Sequence, residues 1–230
     1  MAAAELGLVG GFSGSGVPER IRSSHGGAEM KHATSRMLFS YWDELRGERS
    51  APERRDVEPG AIRHVLADTF ILANQIPHPP VIRLAGTRCS ALFGRDLRGL
   101  ALGELWPVGR RSELTEQLDL VLNDAFGFVA GLHGRAENGW HIDLELMLLP
   151  LRHHGRTDAR ALGSLSPVTL PSWVGLIPIV ALETSTSRII DPVRLDMHAE
   201  AKRDNAVERR ARFVIHQGGR ASPTHGLHAI

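Results

Sequence analysis

The chain has 230 residues, of which 42% are hydrophobic and 23% charged, and its formal net charge of +1 does not favour nucleic acid or an acidic surface as a partner. Its single cysteine, Cys89, excludes an internal disulfide and a thiolate-rich zinc site and is typical of a reducing compartment. Because no stretch approaches the ~20 apolar residues of a membrane span, we expect a cytoplasmic protein that does not cross a membrane.

The two ends of the chain are predicted to carry little folded structure. Residues 1–29 are rich in glycine, serine and alanine and bury too little side chain to offset the entropy lost on ordering. Residues 194–230 mix basic and acidic side chains with almost no apolar periodicity. We therefore predict a disordered extension at 1–29, a domain at 30–168, an apolar segment at 169–193 and a flexible tail at 194–230.

An amphipathic helix is predicted from about Ser35 to Arg46. Thr34 or Ser35 is placed to cap it, and Gly47 is placed to end it. Its apolar positions recur at the spacing of one helical face, and they are Leu38, Tyr41, Trp42 and Leu45. Two functions of this stripe stay open, since it can pack on the protein's own sheet or bind another protein through Leu38, Tyr41 and Trp42.

The next stretch predicts a helix that leads into two strands. Pro59 suits a first helical position, and helical spacing continues through Ile62, Val65, Leu66 and Phe70. A strand at 70–76 follows, and the proline-rich residues 77–80 separate it from a second strand at 81–85, where apolar and polar residues alternate.

The remainder of the domain is predicted to contain two helices and three strands. A short helix after the second strand is closed by Gly94, and Gly99 opens the next element. A longer helix is indicated at 112–125 by a helical stripe of Leu114, Leu118, Val121, Leu122 and Ala125. Strands are predicted at 128–136, 140–152 and 159–168, as an antiparallel meander.

The register of the first hairpin in this meander follows from burial. A two-residue loop at 138–139 would place charged residues of the first strand on the apolar face of the second. A three-residue loop at 137–139, with Gly139 in the left-handed conformation, avoids this. It predicts one buried face that contains Phe128, Ala130, Leu132, Trp140, Ile142, Leu144, Leu146 and Leu148.

The apolar segment at 169–193 is predicted to dock on the domain in an extended form. Pro171, Gly175 and Pro178 interrupt any helix there.

Three features invite a chemical interpretation, and for each a structural one is favoured. Cys89 opens a helix, where a thiol can be reactive, but a buried packing residue is expected. His153 and His154 suggest a metal site, but adjacent side chains point apart and no third ligand is predicted nearby. We therefore expect no metal site.

The outer face of the first hairpin carries a polar cluster of His133, Arg135, Asp143 and Glu145. His133 lies opposite Asp143 in the predicted register, and a paired histidine and carboxylate can form a general base. A solvated cross-strand pair is the favoured interpretation. No catalytic residue is therefore assigned.

The elements and several short segments resemble the single-domain PAS family of alphaproteobacteria (PAS_5-like). The resemblance covers about 30–168, and a stretch that begins at Met30 is similar to the start of such proteins, which leaves Met1 and Met30 as alternative starts. The matching segments are Tyr41–Gly47, Pro59–Ile62, Phe70–Leu72, Arg83–Thr87, Leu92–Gly94, Trp106, Leu144–Pro150 and Leu162–Leu165.

The resemblance implies an α+β protein with a five-stranded antiparallel sheet, helices packed on one face and an N-terminal helical extension. The family has no established catalytic residues that could be carried over to this chain, so we do not expect the protein to be an enzyme. Light-sensing PAS domains carry an Asn-Cys-Arg motif after the second glycine, whereas Gly99 precedes Leu-Ala-Leu-Gly-Glu. Haem-binding ones place a histidine on the long helix, and 112–125 contains none. We therefore expect neither the photoactive flavin nor the haem of these PAS domains, and any other cofactor is unknown.

The implied function is that of a sensory or adaptor protein that signals by contact with a protein partner or as a homodimer. The alternative is a sensor of a small molecule, bound between sheet and helices. Its pocket would be lined by Leu84, Phe93, Trp106, Leu118 and Leu132.

Overall fold

The computed structural model describes residues 30–191, apart from the side chains at 157 and 158. The predictions for 1–29 and 194–230 lie outside these residues. Within 30–191, no helix combines the length and apolar character that a membrane crossing needs.

Three α-helices and one antiparallel sheet of six strands form the described part of the chain. The helices are α1 Ala33–Arg46, α2 Thr87–Phe93 and α3 Arg111–Leu122. The strands are β1 Thr69–Gln75, β2 His78–Ala85, β3 Gly127–Ala136, β4 His141–His153, β5 Arg156–Pro167 and β6 Ile179–Ile190. They lie in the order β2-β1-β5-β4-β3-β6.

The sheet is covered on both faces, which we call inner and outer. On the inner face α2 and α3 enclose the larger core, as predicted, and β4 contributes Ile142, Leu144, Leu146 and Leu148 to it. On the outer face α1 and residues 51–65 cover a second core, to which the alternate β4 residues Met147, Leu149 and Leu151 belong. Because successive side chains of a strand point to opposite faces, this double burial explains why β4 is a nearly continuous apolar run.

The predicted register of the β3–β4 hairpin is confirmed. Leu132 pairs with Leu144, and His133 pairs with Asp143. The loop contains three residues, closed by a hydrogen bond from the Ala136 amide to the Trp140 carbonyl, and Gly139 has φ +86°. Trp140 is the exception to the predicted buried face, since 51% of its surface is exposed at the end of the hairpin.

The predicted helix from Pro59 is not formed. Residues 59–65 are turns, and a short 3₁₀ helix at Leu66–Asp68 precedes β1. The amides of Val65 and Asp68 donate to carbonyls three residues earlier, so the backbone is wound more tightly than in an α-helix. Ile62 and Val65 are still buried, which accounts for the apolar spacing in the sequence.

The sheet has six strands rather than the predicted five. Residues 172–176 form turns instead of the predicted extended chain. The segment after Pro178 is extended, as predicted, and it pairs with β3 along its length as β6, from Ala136 opposite Ile179 to Gly127 opposite Ile190. Backbone hydrogen bonds thus satisfy the amides and carbonyls of this segment that face β3.

Truncation of the α3 stripe is expected to destabilise the inner core. Leu122 is fully buried, and Leu122→Ala should lower the free energy of unfolding by about 2–5 kcal/mol, measured by urea denaturation. Glu116 lies on the exposed side of the same helix, so Glu116→Ala is the matched control. Equal effects of the two substitutions would contradict the assignment of the buried face.

Candidate functional site

The α1 residues predicted to bind a partner contact the protein's own chain. Leu38 and Trp42 are buried in the outer core, and the Trp42 indole Nε1 donates a hydrogen bond to the Pro150 carbonyl at 2.7 Å. The Tyr41 hydroxyl accepts one from the Glu58 amide at 2.8 Å. Partner binding through Leu38 and Trp42 would therefore require α1 to leave the sheet.

Glu145 connects the start of α1 to the sheet, a role that the sequence did not indicate. Its carboxylate accepts hydrogen bonds from the amides of Lys31 at 2.9 Å and His32 at 3.0 Å, just before α1. A carboxylate is favoured near a helix N-terminus, where the peptide dipoles leave partial positive charge. Glu145 lies on the outer face, as predicted, but it is buried and does not share the solvated surroundings of His133 and Asp143.

An ion pair between a buried aspartate and a partly exposed arginine joins the residue before β1 to α2. Asp68 Oδ2 lies 2.6 Å from Nη1 of Arg88, and Asp68 is almost fully buried. Burial raises the pKa of Asp68, and the charge of Arg88 opposes that rise. This contact positions α2 and was not predicted.

Cys89 is a packing residue of the inner core. Its sulfur lies 3.8 Å from the Thr69 carbonyl oxygen, and burial raises the pKa of the thiol to about 12. The side chain is therefore a protonated thiol at neutral pH, which agrees with the favoured interpretation.

His133 and Asp143 form the predicted cross-strand pair on the outer face. Nδ1 of His133 lies 2.6 Å from Oδ1 of Asp143, and more than half of each side chain is exposed. The pair is therefore solvated and not enclosed in a substrate site. Within the described residues, no group of three or more metal-ligating side chains is present around it or around His153 and His154.

The residues proposed to line a small-molecule pocket do not all meet. Phe93, Trp106, Leu118 and Leu132 are buried together in the inner core, and Nε1 of Trp106 donates to the Thr184 hydroxyl at 3.2 Å. Leu84 lies apart from them and is 51% exposed. A cleft of about 210 Å³ opens beside this core, between α3 and the β3–β6 pair.

An exposed apolar surface lies at the hairpin end of the sheet. The rings of Trp140 and Trp173 pack with their centroids 5.9 Å apart, and Leu176, in the same turn as Trp173, is 81% exposed. We call these three residues the Trp140 patch. Val168 and Leu170, also exposed, lie in the chain that leads to it.

The sequence assigns this domain to a family. The PAS_5 family model, described as a PAS domain, matches residues 30–166. Since this is more than half of the chain, the protein belongs to that family. A comparison with curated protein sequences gives no match.

Solved structures similar to this chain are light-oxygen-voltage and PAS domains. A light-oxygen-voltage domain studied with a flavin analogue is 18% identical, with 48% of this chain and 83% of that chain covered and a TM-score of 0.40. The LOV protein of Rhodobacter sphaeroides is 15% identical, with 48% and 66% covered and a TM-score of 0.39. The PAS domain of a Colwellia psychrerythraea protein is 17% identical, with 49% and 98% covered and a TM-score of 0.37.

Proposed function

We propose that this protein is a cytoplasmic sensory or adaptor protein that acts in signal transduction by contact with another protein or with a second copy of itself. Membership of the PAS family supports the sensory class. The described residues supply no enclosed catalytic arrangement to favour an enzyme, since the histidine–carboxylate pair is solvated.

The observation that carries this proposal is the Trp140 patch. Exposed apolar surface is costly to leave in water, and contiguous patches mark interaction sites. Tryptophan is the residue that most often anchors a protein interface. The patch includes two tryptophans and Leu176, and it therefore replaces Leu38 and Trp42 as the surface we assign to contact.

Trp140→Ala is expected to weaken self-association or partner binding while the domain stays folded. Loss of an interface anchor costs about 2 kcal/mol or more, which is roughly a 30-fold rise in dissociation constant. Size-exclusion chromatography with light scattering over a concentration series measures self-association. Recovery of a co-purifying partner measures partner binding.

Val108→Ser is the matched control, because Val108 is also an exposed apolar residue but lies outside the Trp140 patch. It should leave both readouts unchanged. A Trp140→Ala protein with wild-type oligomeric state and wild-type partner recovery would argue against the patch as the contact surface.

The small-molecule alternative stays a prediction. The cleft beside α3 is smaller than the ~300 Å³ at which drug-sized ligand pockets begin, and Phe93, Trp106, Leu118 and Leu132 already fill the space between sheet and helices. Mass spectrometry of protein purified under native conditions would detect a ligand retained there.

A further inference from the structure

The strand β6 lies at one margin of the sheet, and its far side is open within the described residues. β3 pairs with one side of β6, and no strand or isolated bridge among residues 30–191 pairs with the other side. The opposite margin of the sheet differs, because the chain after α2 covers part of β2, where the Ile82 amide donates to the Leu100 carbonyl at 2.8 Å. An open edge strand presents unpaired amides and carbonyls that can pair with another strand.

A β-bulge at Ser185 divides β6 into two halves. Leu132 of β3 pairs with Thr184, and the preceding β3 residue, Gly131, pairs with Thr186, so Ser185 is the extra residue. The Ser185 hydroxyl donates to the Gly131 carbonyl at 2.9 Å, and the Thr186 hydroxyl accepts from the Gly131 amide at 3.2 Å. Both hydroxyls therefore hold the bulge against β3.

The bulge decides which residues of β6 share a face. Paired residues of neighbouring strands point to the same face, so the faces of β6 follow from its β3 partners and from the inner core. The inner face carries Leu182, Thr184, Ser187 and Ile189. The outer face carries Glu183 in the first half and Arg188 in the second half. Across residues 30–191, neither of these two charged side chains forms an ion pair.

Two copies of β6 are complementary when they run antiparallel about a two-fold axis between Ser185 and Thr186. In this register Glu183 of each copy lies opposite Arg188 of the other copy, on the same outer face. Opposite charges directly across an antiparallel pair stabilise it, and like charges destabilise it. The inner-face pairs also match in character, since they are Leu182 with Ile189 and Thr184 with Ser187.

Other registers are less favourable because of the bulge. A shift of one residue places Thr184 opposite Thr186 or Arg188, and each of these pairs combines an inner with an outer position. A shift of two residues keeps the faces but places Arg188 opposite Ala181 or Ser185, so both charge pairs are lost. A bulge hinders pairing with a regular strand, whereas the axis described above places bulge opposite bulge.

We propose that this protein forms a two-fold symmetric homodimer in which the open edges of two β6 strands pair and join the two sheets. The pairing satisfies backbone groups of both edges. A two-fold interface is closed, so association ends at two copies. The interface differs from the Trp140 patch, and self-association through β6 leaves partner binding as the role of that patch.

Charge reversal in the full-length chain tests this interface, with size-exclusion chromatography and light scattering over a concentration series. We expect the wild type to be a dimer. Glu183→Arg places arginine opposite arginine at both symmetric positions, and Arg188→Glu places glutamate opposite glutamate. Because attraction becomes repulsion at two positions, each substitution should raise the dimer dissociation constant roughly 10- to 30-fold. Circular dichroism confirms that each variant is folded.

An equimolar mixture of the two variants tests the register itself. A Glu183→Arg chain and an Arg188→Glu chain carry opposite charges at both facing positions, so the mixture should form a heterodimer about as stable as the wild-type dimer. Glu116→Arg is the matched control, because Glu116 is an exposed carboxylate on α3, away from β6. It changes the net charge by the same amount and should leave the dimer unchanged.

Three results would overturn the proposal. They are a wild-type chain that stays monomeric over the whole series, a dimer that neither charge reversal weakens, and variants whose mixture does not restore dimerisation. A dimer that is lost in Trp140→Ala and kept in Glu183→Arg would also overturn it, and would assign self-association to the Trp140 patch.

Discussion

Replacing Trp42 with alanine is expected to lower the free energy of unfolding by about 3–5 kcal/mol, because truncation of a large buried aromatic leaves a cavity. Only 1% of the side chain is exposed. Its loss also leaves the Pro150 carbonyl without the indole donor, and it removes the ring beneath the Arg46 guanidinium, which lies 5.5 Å from the ring centroid. Urea denaturation followed by tryptophan fluorescence and circular dichroism measures the change.

Met37→Ala is the control for this experiment, since Met37 lies on the same helix with its side chain exposed. It should change stability by less than about 0.5 kcal/mol. A Trp42→Ala protein that kept wild-type stability and became monomeric would favour the partner-binding interpretation of α1 over its burial on the sheet.

Gly86→Ala is expected to cost about 3 kcal/mol or more, since severe overpacking exceeds the usual 1–3 kcal/mol. A Cβ atom at Gly86 would overlap the carbonyl oxygens of both Leu66 and Ala67. These are backbone atoms, so rotation of a side chain cannot relieve the contact. Thermal denaturation should show a lower melting temperature, and the whole turn before β1 must shift for the variant to fold.

Gly103→Ala separates this steric effect from the general effect of adding a methyl group. A Cβ atom at Gly103 would meet no heavy atom within 4 Å. The stability of the Gly103→Ala protein should therefore be close to that of the wild type. If Gly86→Ala were as stable as Gly103→Ala, the close packing of Gly86 on residues 66–67 would be wrong.

The parts of the fold that could be predicted are those in which local pattern and burial agree. The loop at 137–139 was correct because the alternative two-residue loop would place Arg135 on the apolar face. The α3 stripe was correct as far as Leu122, because α3 has one buried side and one solvated side. Ala125, which was also predicted to belong to it, lies beyond the end of the helix. Trp140 was wrongly predicted to be buried, because alternation alone cannot show where a strand ends. Its ring packs against that of Trp173, which lies outside the sheet.

The parts that could not be predicted depend on contacts between distant segments. Glu145 sits among apolar residues, and its burial becomes reasonable only when the amides of Lys31 and His32 arrive from 113 or more residues away in sequence. The pairing of β6 with β3 is equally non-local.

The position of β6 determines where a fragment that contains the complete sheet must end. The PAS_5 match ends at residue 166, but the sheet continues to Ile190. A fragment that stopped at the family boundary would leave the ten-residue β3 with a row of unpaired amides and carbonyls. Such an edge is a template for pairing with other molecules, whereas β6 presents the polar run Glu183–Ser187 at the sheet margin. We therefore expect a fragment of residues 30–190 to aggregate less than one that ends at residue 166.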